Sequence, residues 1–171
     1  TEARRAFIAY KNNDLGKPQS RYSEIGEVIA FCLASHYLSA GQVAAKMALK
    51  TSSEMPVFGI DGIHVHSESD GTLTVFFLES KMVDDPESGC KQYSQSAASF
   101  ESNRKTKLNE YRIARDLSNL DMLEAAARES ALEYFNPYSD QYAKVRERHV
   151  GVVIYSDPGY AKKLKVTDKM P

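Results

Sequence analysis

The sequence has no tryptophan, only two cysteines, and no apolar run of the roughly 20 residues that a membrane span requires. Cys32 and Cys90 are too few for a disulfide framework and lack the paired spacing of a zinc knuckle. We therefore expect a reducing, cytoplasmic compartment and no membrane association. Cys32 lies in an apolar run, which predicts a small buried side chain.

An excess of charge of either sign is also missing. The chain has 22 basic and 23 acidic residues, a formal net charge of -1. A protein that held polyanions over its whole surface would be far more basic, so any contact with nucleic acid must be local. The length of 171 residues and an ordinary globular composition predict a single domain over residues 1–171.

The chain changes character along its length. Residues 1–22 are polar and predict an irregular N-terminal extension. Residues 23–38 predict a helix with Ser23 as its N-cap and Gly41 closing it, and an almost uniformly apolar surface predicts that this helix is buried. Residues 42–50 fit a strand or a continuation of the helix. The later segments predict strands at 58–66 and 72–81, helices at 88–103, 108–117 and 122–134, and a buried strand at 149–155.

The two strands at 58–66 and 72–81 are separated by turn-forming residues and predict a hairpin. The second is apolar on both faces, which is typical of a central strand covered on both sides in an α/β protein. A loop centred on Asp70 places Asp61 opposite Glu79, whereas a two-residue Asp70-Gly71 turn puts them on different faces. We predict the longer loop.

Three acidic residues occur where acids are costly to bury. Glu79 ends the hydrophobic strand and shares a face with Lys81, because side chains alternate about Ser80. Asp61 lies within the other strand of the hairpin, and Glu27 begins an otherwise apolar helical stripe. A buried carboxylate needs a paired charge or a metal ion, so these positions predict a functional site.

The set Glu27, Asp61, Glu79 and Lys81 resembles the core of the PD-(D/E)xK nucleases, in which an acid on a helix precedes a hairpin carrying an acid and an (Asp/Glu)-x-Lys triplet. The chain resembles still more closely the HamA-type effectors of the Hachiman anti-phage system, formerly a domain of unknown function. That resemblance covers roughly residues 20–155 and is carried by Gly26-Glu27, by KMALKTS at 46–52, by GIDGIHV at 59–65 and by Glu79-Ser80-Lys81.

The resemblance implies a restriction-endonuclease-like α/β fold, with a mixed β-sheet flanked by α-helices. It implies an endonuclease that hydrolyses DNA and works beside a helicase-type partner protein of the same system. Asp61, Glu79 and the main-chain carbonyl of Ser80 would hold Mg²⁺ or Mn²⁺, and Glu27 would complete the outer shell. Lys81 would orient or deprotonate the attacking water. The Ser80 side chain should face away, so we expect activity not to depend on it.

Other interpretations fit the same residues. Lys81 could form a purely structural ion pair with Asp61 or Glu79 at a sheet edge, in a nuclease fold that serves as a catalytically silent interaction module. The substrate could also be RNA. The helix after the hairpin offers Gln95 or Lys91 to the site, although a solvated helix face fits these residues equally well. Its polar residues are Lys91, Gln92, Tyr93, Gln95 and Ser96.

Overall fold

The computed structural model describes residues 19–45, 59–116, 120–121, 123–139 and 145–155, with side chains of the first helix from residue 25 onward. These ranges contain, in chain order, α1 (Gln19–Tyr37), β1 (Gly41–Ala45), β2 (Gly62–Ser67), β3 (Leu73–Val83), α2 (Pro86–Ser102), α3 (Arg104–Asp116), α4 (Ala125–Tyr134) and β4 (Val145–Tyr155). The strands form a mixed sheet in the order β1-β2-β3-β4, in which only the β3–β4 pair is parallel. The predicted class, a mixed sheet flanked by helices, is confirmed.

Strand β3 is central and is covered on both faces, as its sequence predicts. On one face, Phe77 packs with Phe100 of α2 and with Phe135 at the end of α4 in the larger core cluster. On the other face, Leu78 packs against two small residues of α1, Ala30 and Ala34. The alternation of side chains along one strand thus separates a large core from a small one.

Helix α1 departs from its prediction at both ends. It begins at Gln19, so Ser23 is inside the helix and is not its N-cap, and residues 19–22 are not irregular. It ends at Tyr37, and the left-handed conformation of Ser39, with φ of 49°, turns the chain toward the sheet. Gly41 therefore begins β1 and does not close the helix.

The prediction that α1 is buried all round is wrong. Only one narrow stripe, which includes Ala30 and Ala34, meets the sheet. Cys32 is exposed as well, contrary to its predicted burial. A helix laid on one face of a sheet buries a single stripe, whatever the character of its other residues. The exposed large apolar residues of α1 are Val28, Ile29, Phe31, Leu33 and Tyr37.

The remaining elements are of the predicted type, helix or strand, but differ in their boundaries and, for β4, in burial. Strand β2 begins at Gly62, because the chain is still bent at residues 59–61. Strand β4 begins at Val145 and is half exposed, so the prediction of a short buried strand is wrong. The segment 46–52, which carries part of the family resemblance, lies outside the described residues. So do residues 1–18 of the predicted N-terminal extension and Phe58, the predicted start of the first hairpin strand. No helix within the described ranges is long and apolar enough to cross a membrane.

Candidate active site

The register of the β2–β3 hairpin decides where the predicted site residues lie. Gly62 pairs with Leu78 and Val65 pairs with Val75, so the paired residue numbers sum to 140, the register that a loop centred on Asp70 produces. The pairing ends at Gly62, one residue before Asp61 would stand opposite Glu79. The turn is the longer of the two predicted, with the Asp70 carboxylate accepting a hydrogen bond from the Thr72 amide at 2.9 Å. The prediction of a loop centred on Asp70 is confirmed.

Glu79 and Lys81 lie on the same face of β3 and touch. The Lys81 Nζ donates a hydrogen bond to Glu79 Oε1 at 2.5 Å, and the Glu79 side chain is only 10% exposed. The second carboxylate oxygen, Glu79 Oε2, is buried and accepts no hydrogen bond from any residue that the structure describes. A buried acceptor of this kind carries a desolvation cost, which a bound cation would remove.

Asp61 is held by the middle residue of the Glu79–Lys81 triplet. The Asp61 amide donates to the Leu78 carbonyl at 3.0 Å. Its Oδ2 accepts hydrogen bonds from both the amide and the hydroxyl of Ser80, each at 2.7 Å. The Ser80 side chain does lie on the face opposite Glu79, but it fixes the Asp61 carboxylate. The sequence interpretation did not expect this contact; that activity is independent of the Ser80 side chain stays an untested prediction.

Glu27 approaches from the other side of the sheet. The neighbouring residue Gly26 faces Ser80, since a Cβ built on Gly26 would lie 3.1 Å from Ser80 Oγ. Glu27 is itself buried, at 8% exposure. Within the described ranges, no three His, Cys, Asp or Glu side chains form a cluster that could bind a metal ion. What the fold brings together is the contact between Glu79 and Lys81 and, on the adjoining strand, the contact between Asp61 and Ser80.

An open cleft of about 920 Å³ lies beside Glu79 and Lys81. Its far wall is formed by α2 and the beginning of α3, and Gln95 contributes to it, whereas the exposed Lys91 does not. Most of the lining is amide and hydroxyl, so the cleft has many donors and acceptors and little net charge. The lining residues are Gly59, Ile60, Glu79, Lys81, Gln92, Gln95, Ser96, Ser99, Phe100, Asn103, Lys105, Thr106 and Asn109.

Tyr93 is one of the polar residues noted on this helix, but the sequence interpretation gave it no role at the site. Its ring covers Gly151 of β4, since a Cβ on Gly151 would lie 2.7 Å from a ring carbon. Gly151 is the β-sheet partner of Glu79. Burial raises the pKa of the Tyr93 hydroxyl, and the negative charge of Glu79 raises it further. One sequence signal was available, because Gly151 interrupts a run of β-branched residues, a place where another group often approaches the backbone closely.

Glu110 on α3 is a second residue that was not predicted. It is 4% exposed, and its carboxylate occupies the space where a Cβ on Gly59 would stand. Gly59 has a φ of 138°, a conformation that favours glycine. The contact fixes the bend that leads into Asp61. An acid on an amphipathic helix is usually solvated, so the sequence gave no reason to expect its burial.

A network of ionisable side chains anchors the α2–α3 wall to β4. Burial opposes the charge on Lys107, but its hydrogen bond to Glu147 at 2.9 Å raises the pKa of the ammonium. Burial would likewise raise the pKa of Glu101, but hydrogen bonds from His149 and Lys107 outweigh it and lower that pKa. Lys107 is therefore occupied by protein carboxylates. The network comprises Glu101, Lys107, Tyr111, Tyr134, Glu147 and His149.

A family model, HamA, matches residues 1–170 of the chain. The match covers both strands of the hairpin, the triplet at 79–81 and helices on both faces of the sheet. No curated protein matches the chain, and neither does any solved structure. The family likeness first seen in a few motifs thus extends over nearly the whole sequence.

Proposed function

Because this chain belongs to the HamA family, we propose that it is the DNA-cleaving effector of the Hachiman anti-phage defence system. The reaction is hydrolysis of phosphodiester bonds within DNA and depends on a divalent metal ion, Mg²⁺ or Mn²⁺. The observation that supports it best is the buried Glu79 carboxylate: one oxygen contacts Lys81, and the other accepts no hydrogen bond from the described residues.

The oxygen donors at this end of β3 suit a hard divalent cation. Glu79 Oε2 offers an acceptor that is already desolvated, and Asp61 is fixed on the adjoining strand by Ser80. The Ser80 carbonyl points to the same side of β3 as its amide, hence toward Asp61. These three groups would hold the ion, with Glu27 acting in the outer shell. When bound, the ion polarises a phosphoryl oxygen and makes a coordinated water more acidic.

Lys81 positions the attacking water and offsets the negative charge that develops on the phosphate. Its contact with Glu79 keeps the ammonium in place before the substrate arrives. Gln92 and Gln95, on the wall of the cleft, offer amide donors to phosphate and sugar oxygens on either side of the scissile bond. Because the chain has a net charge of only -1, its own hold on DNA is weak, and a helicase partner would deliver the substrate.

A purely structural ion pair also explains why Lys81 touches Glu79. Such a pair adds stability only where hydrogen bonds satisfy the remaining lone pairs of the buried carboxylate. Glu79 Oε2 lacks such a bond among the residues described. Because Glu79 Oε2 is buried without a hydrogen bond from a described residue, a cation-binding role in a nuclease is favoured over a catalytically silent module.

The decisive experiment incubates supercoiled plasmid with the protein in Mg²⁺ and in EDTA, with and without the helicase partner. Cleavage is expected in Mg²⁺ and not in EDTA. Lys81→Ala and Glu79→Gln should each lower the rate at least about 100-fold, the scale of a lost acid–base or charge-stabilising group. Lys91→Ala is the matched control, since Lys91 is exposed on the neighbouring helix and does not line the cleft.

Undiminished cleavage by Lys81→Ala would contradict the proposed site. No Mg²⁺-dependent cleavage by the wild-type protein, with or without the partner, would favour the silent module. An RNA of the same sequence, incubated in parallel, tests the nature of the substrate. Cleavage of RNA with no cleavage of DNA would replace the deoxyribonuclease by a ribonuclease.

A further inference from the structure

Helix α2 lies unusually close to the sheet. A Cβ on Gly89 would stand 2.4 Å from Val153 Cγ1 and 2.9 Å from Val83 Cγ2, so only glycine fits at this point of the helix. A side chain at residue 89 would push the helix away from β3 and β4. Because Gly89 lies so close to the sheet, the next turn of α2 on the same side of the helix contacts the backbone of the strands.

Tyr93 occupies that next turn, four residues after Gly89 and therefore on the same face. Its ring lies flat enough on Gly151 that a Cβ there would be 2.7, 2.8 and 2.9 Å from three ring carbons. Two glycines on different elements thus fix where the phenol ring sits. Since Gly151 pairs with Glu79 across the β3–β4 ladder, the ring stands directly beside the site strand.

The electrostatics of Tyr93 agree with this position. Burial raises the pKa of the Tyr93 phenol, and the negative charge of Glu79 raises it further. The Tyr93 hydroxyl makes no hydrogen bond to another residue in the part of the chain that the structure describes. Among the described residues, Glu79 Oε2 likewise accepts no hydrogen bond.

We propose that Tyr93 is a positioning residue of the metal site: its ring lies on Gly151, the strand partner of Glu79, and its hydroxyl would help to orient the Glu79 carboxylate by a hydrogen bond through water when an ion is bound. The inference rests on the proposed function, because it requires a cation at Glu79. Tyr93 touches neither substrate nor the reacting atoms in this role. Its loss should weaken the binding of the ion and leave the reaction itself possible.

Terbium luminescence tests this position without any measurement of cleavage. Tb³⁺ takes oxygen ligands as other hard cations do, and its emission is sensitised by a tyrosine only at short range. The sequence has ten tyrosines and no tryptophan, so sensitisation can come only from tyrosine. Wild-type protein excited in the tyrosine band should show Tb³⁺ emission that Mg²⁺ displaces. Tyr93→Phe should lose most of this emission and raise the Mg²⁺ concentration for half-maximal displacement about 10-fold, the loss seen for outer-shell partners of metals.

Two further variants separate position from mere presence of the ring. Gly151→Ala keeps the phenol but should displace its ring, and it is expected to reduce the emission as Tyr93→Phe does. Tyr138→Phe makes the same substitution at a tyrosine that is 79% exposed and should change nothing. Circular dichroism spectra recorded beside the titrations show that each variant is folded.

The outcomes distinguish the inference from the function beneath it. If Glu79→Gln abolishes the emission while Tyr93→Phe leaves it at the wild-type level, the ion site stands and the role of Tyr93 is overturned. If wild-type protein cleaves DNA in Mg²⁺ yet sensitises no Tb³⁺ emission, the inference alone fails. If Glu79→Gln leaves the emission unchanged, no cation binds at Glu79, and the proposed metal site fails with the inference.

Discussion

Replacing Ser80 by alanine removes one hydrogen bond from the Asp61 carboxylate and little else. The hydroxyl donates to Asp61 Oδ2 at 2.7 Å, and Asp61 is 9% exposed, so water cannot easily take its place. The Ser80 amide continues to donate to the same oxygen at 2.7 Å. The substitution therefore weakens the attachment of Asp61 without abolishing it.

A hydrogen bond to a charged group contributes roughly 1.5–3 kcal/mol to stability. Because Asp61 Oδ2 keeps its second donor in Ser80→Ala, we expect the lower end, a loss of about 1.5 kcal/mol in the free energy of unfolding. For a chain of this length, that corresponds to a fall of about 3–6 °C in Tm. In a reaction mixture the same variant should also need more Mg²⁺ for half-maximal cleavage, since Asp61 is a proposed ligand.

Urea denaturation in EDTA measures the loss in the free energy of unfolding. A Mg²⁺ titration of plasmid cleavage measures the concentration needed for half-maximal cleavage. Ser94→Ala is the control, because the Ser94 hydroxyl donates only to the Cys90 carbonyl on the exposed face of α2, and such a change stays within about 0.5 kcal/mol. A double-mutant cycle with Asp61→Ala completes the test. Additive losses for Ser80→Ala and Asp61→Ala would refute the coupling that the two hydrogen bonds predict.

Three other perturbations follow from the described contacts. Burial raises the pKa of Tyr111 to about 12, so its protonated hydroxyl stabilises the fold fully below pH 10 and less as the pH rises toward 12. The free energy of unfolding should therefore fall less steeply with alkaline pH in Tyr111→Phe than in the wild-type protein. An equal slope for the two proteins would contradict this. Phe135 is fully buried, so Phe135→Ala should lower the free energy of unfolding, measured by urea denaturation, by about 3–5 kcal/mol. A loss below about 1 kcal/mol would mean that the core cluster repacks around the smaller side chain. Gly89→Ala should lower Tm by several degrees, because its Cβ would collide with Val153. Gly71→Ala is the control, since its Cβ would have open space and tests only the backbone strain of a φ of 79°. Equal falls in Tm for the two variants would mean that the contact with Val153 does not destabilise the fold.

The hairpin and its register could be predicted because the information is local. Apolar residues on both faces of 73–78 predict a central strand, and the turn-forming residues before it predict a hairpin loop, which is centred on Asp70. Alternation then fixes which side of the sheet Glu79 and Lys81 share. Burial could not be predicted as well where it depends on what covers an element. Helix α1 and residues 149–155 of strand β4 are mostly apolar in sequence, yet both are partly exposed, since only one stripe or one edge of each meets a partner.

The contacts of Asp61 and Tyr93 are out of reach of such patterns for a different reason. Each joins elements that are distant along the chain: Asp61 meets Ser80 across the hairpin, and Tyr93 meets Gly151 across α3 and α4. Spacing within a strand or helix cannot report such pairs. The nearest sequence signs are two glycines, Gly89 and Gly151, in positions where a helix or strand would otherwise disfavour glycine.

These glycines and the small residues of α1 point to one property of the site. The end of β3 is approached from both faces at distances that side chains would prevent: Gly26 of α1 allows contact with Ser80, and Gly89 of α2 allows the descent of Tyr93. One contact supports Asp61 through Ser80, and the other reaches Glu79 through its strand partner Gly151. The two carboxylates are therefore positioned by helices on opposite sides of a single strand. A shift of either helix would move one carboxylate and leave the other, so the geometry between them depends on the uncharged contacts at Gly26, Gly89 and Gly151.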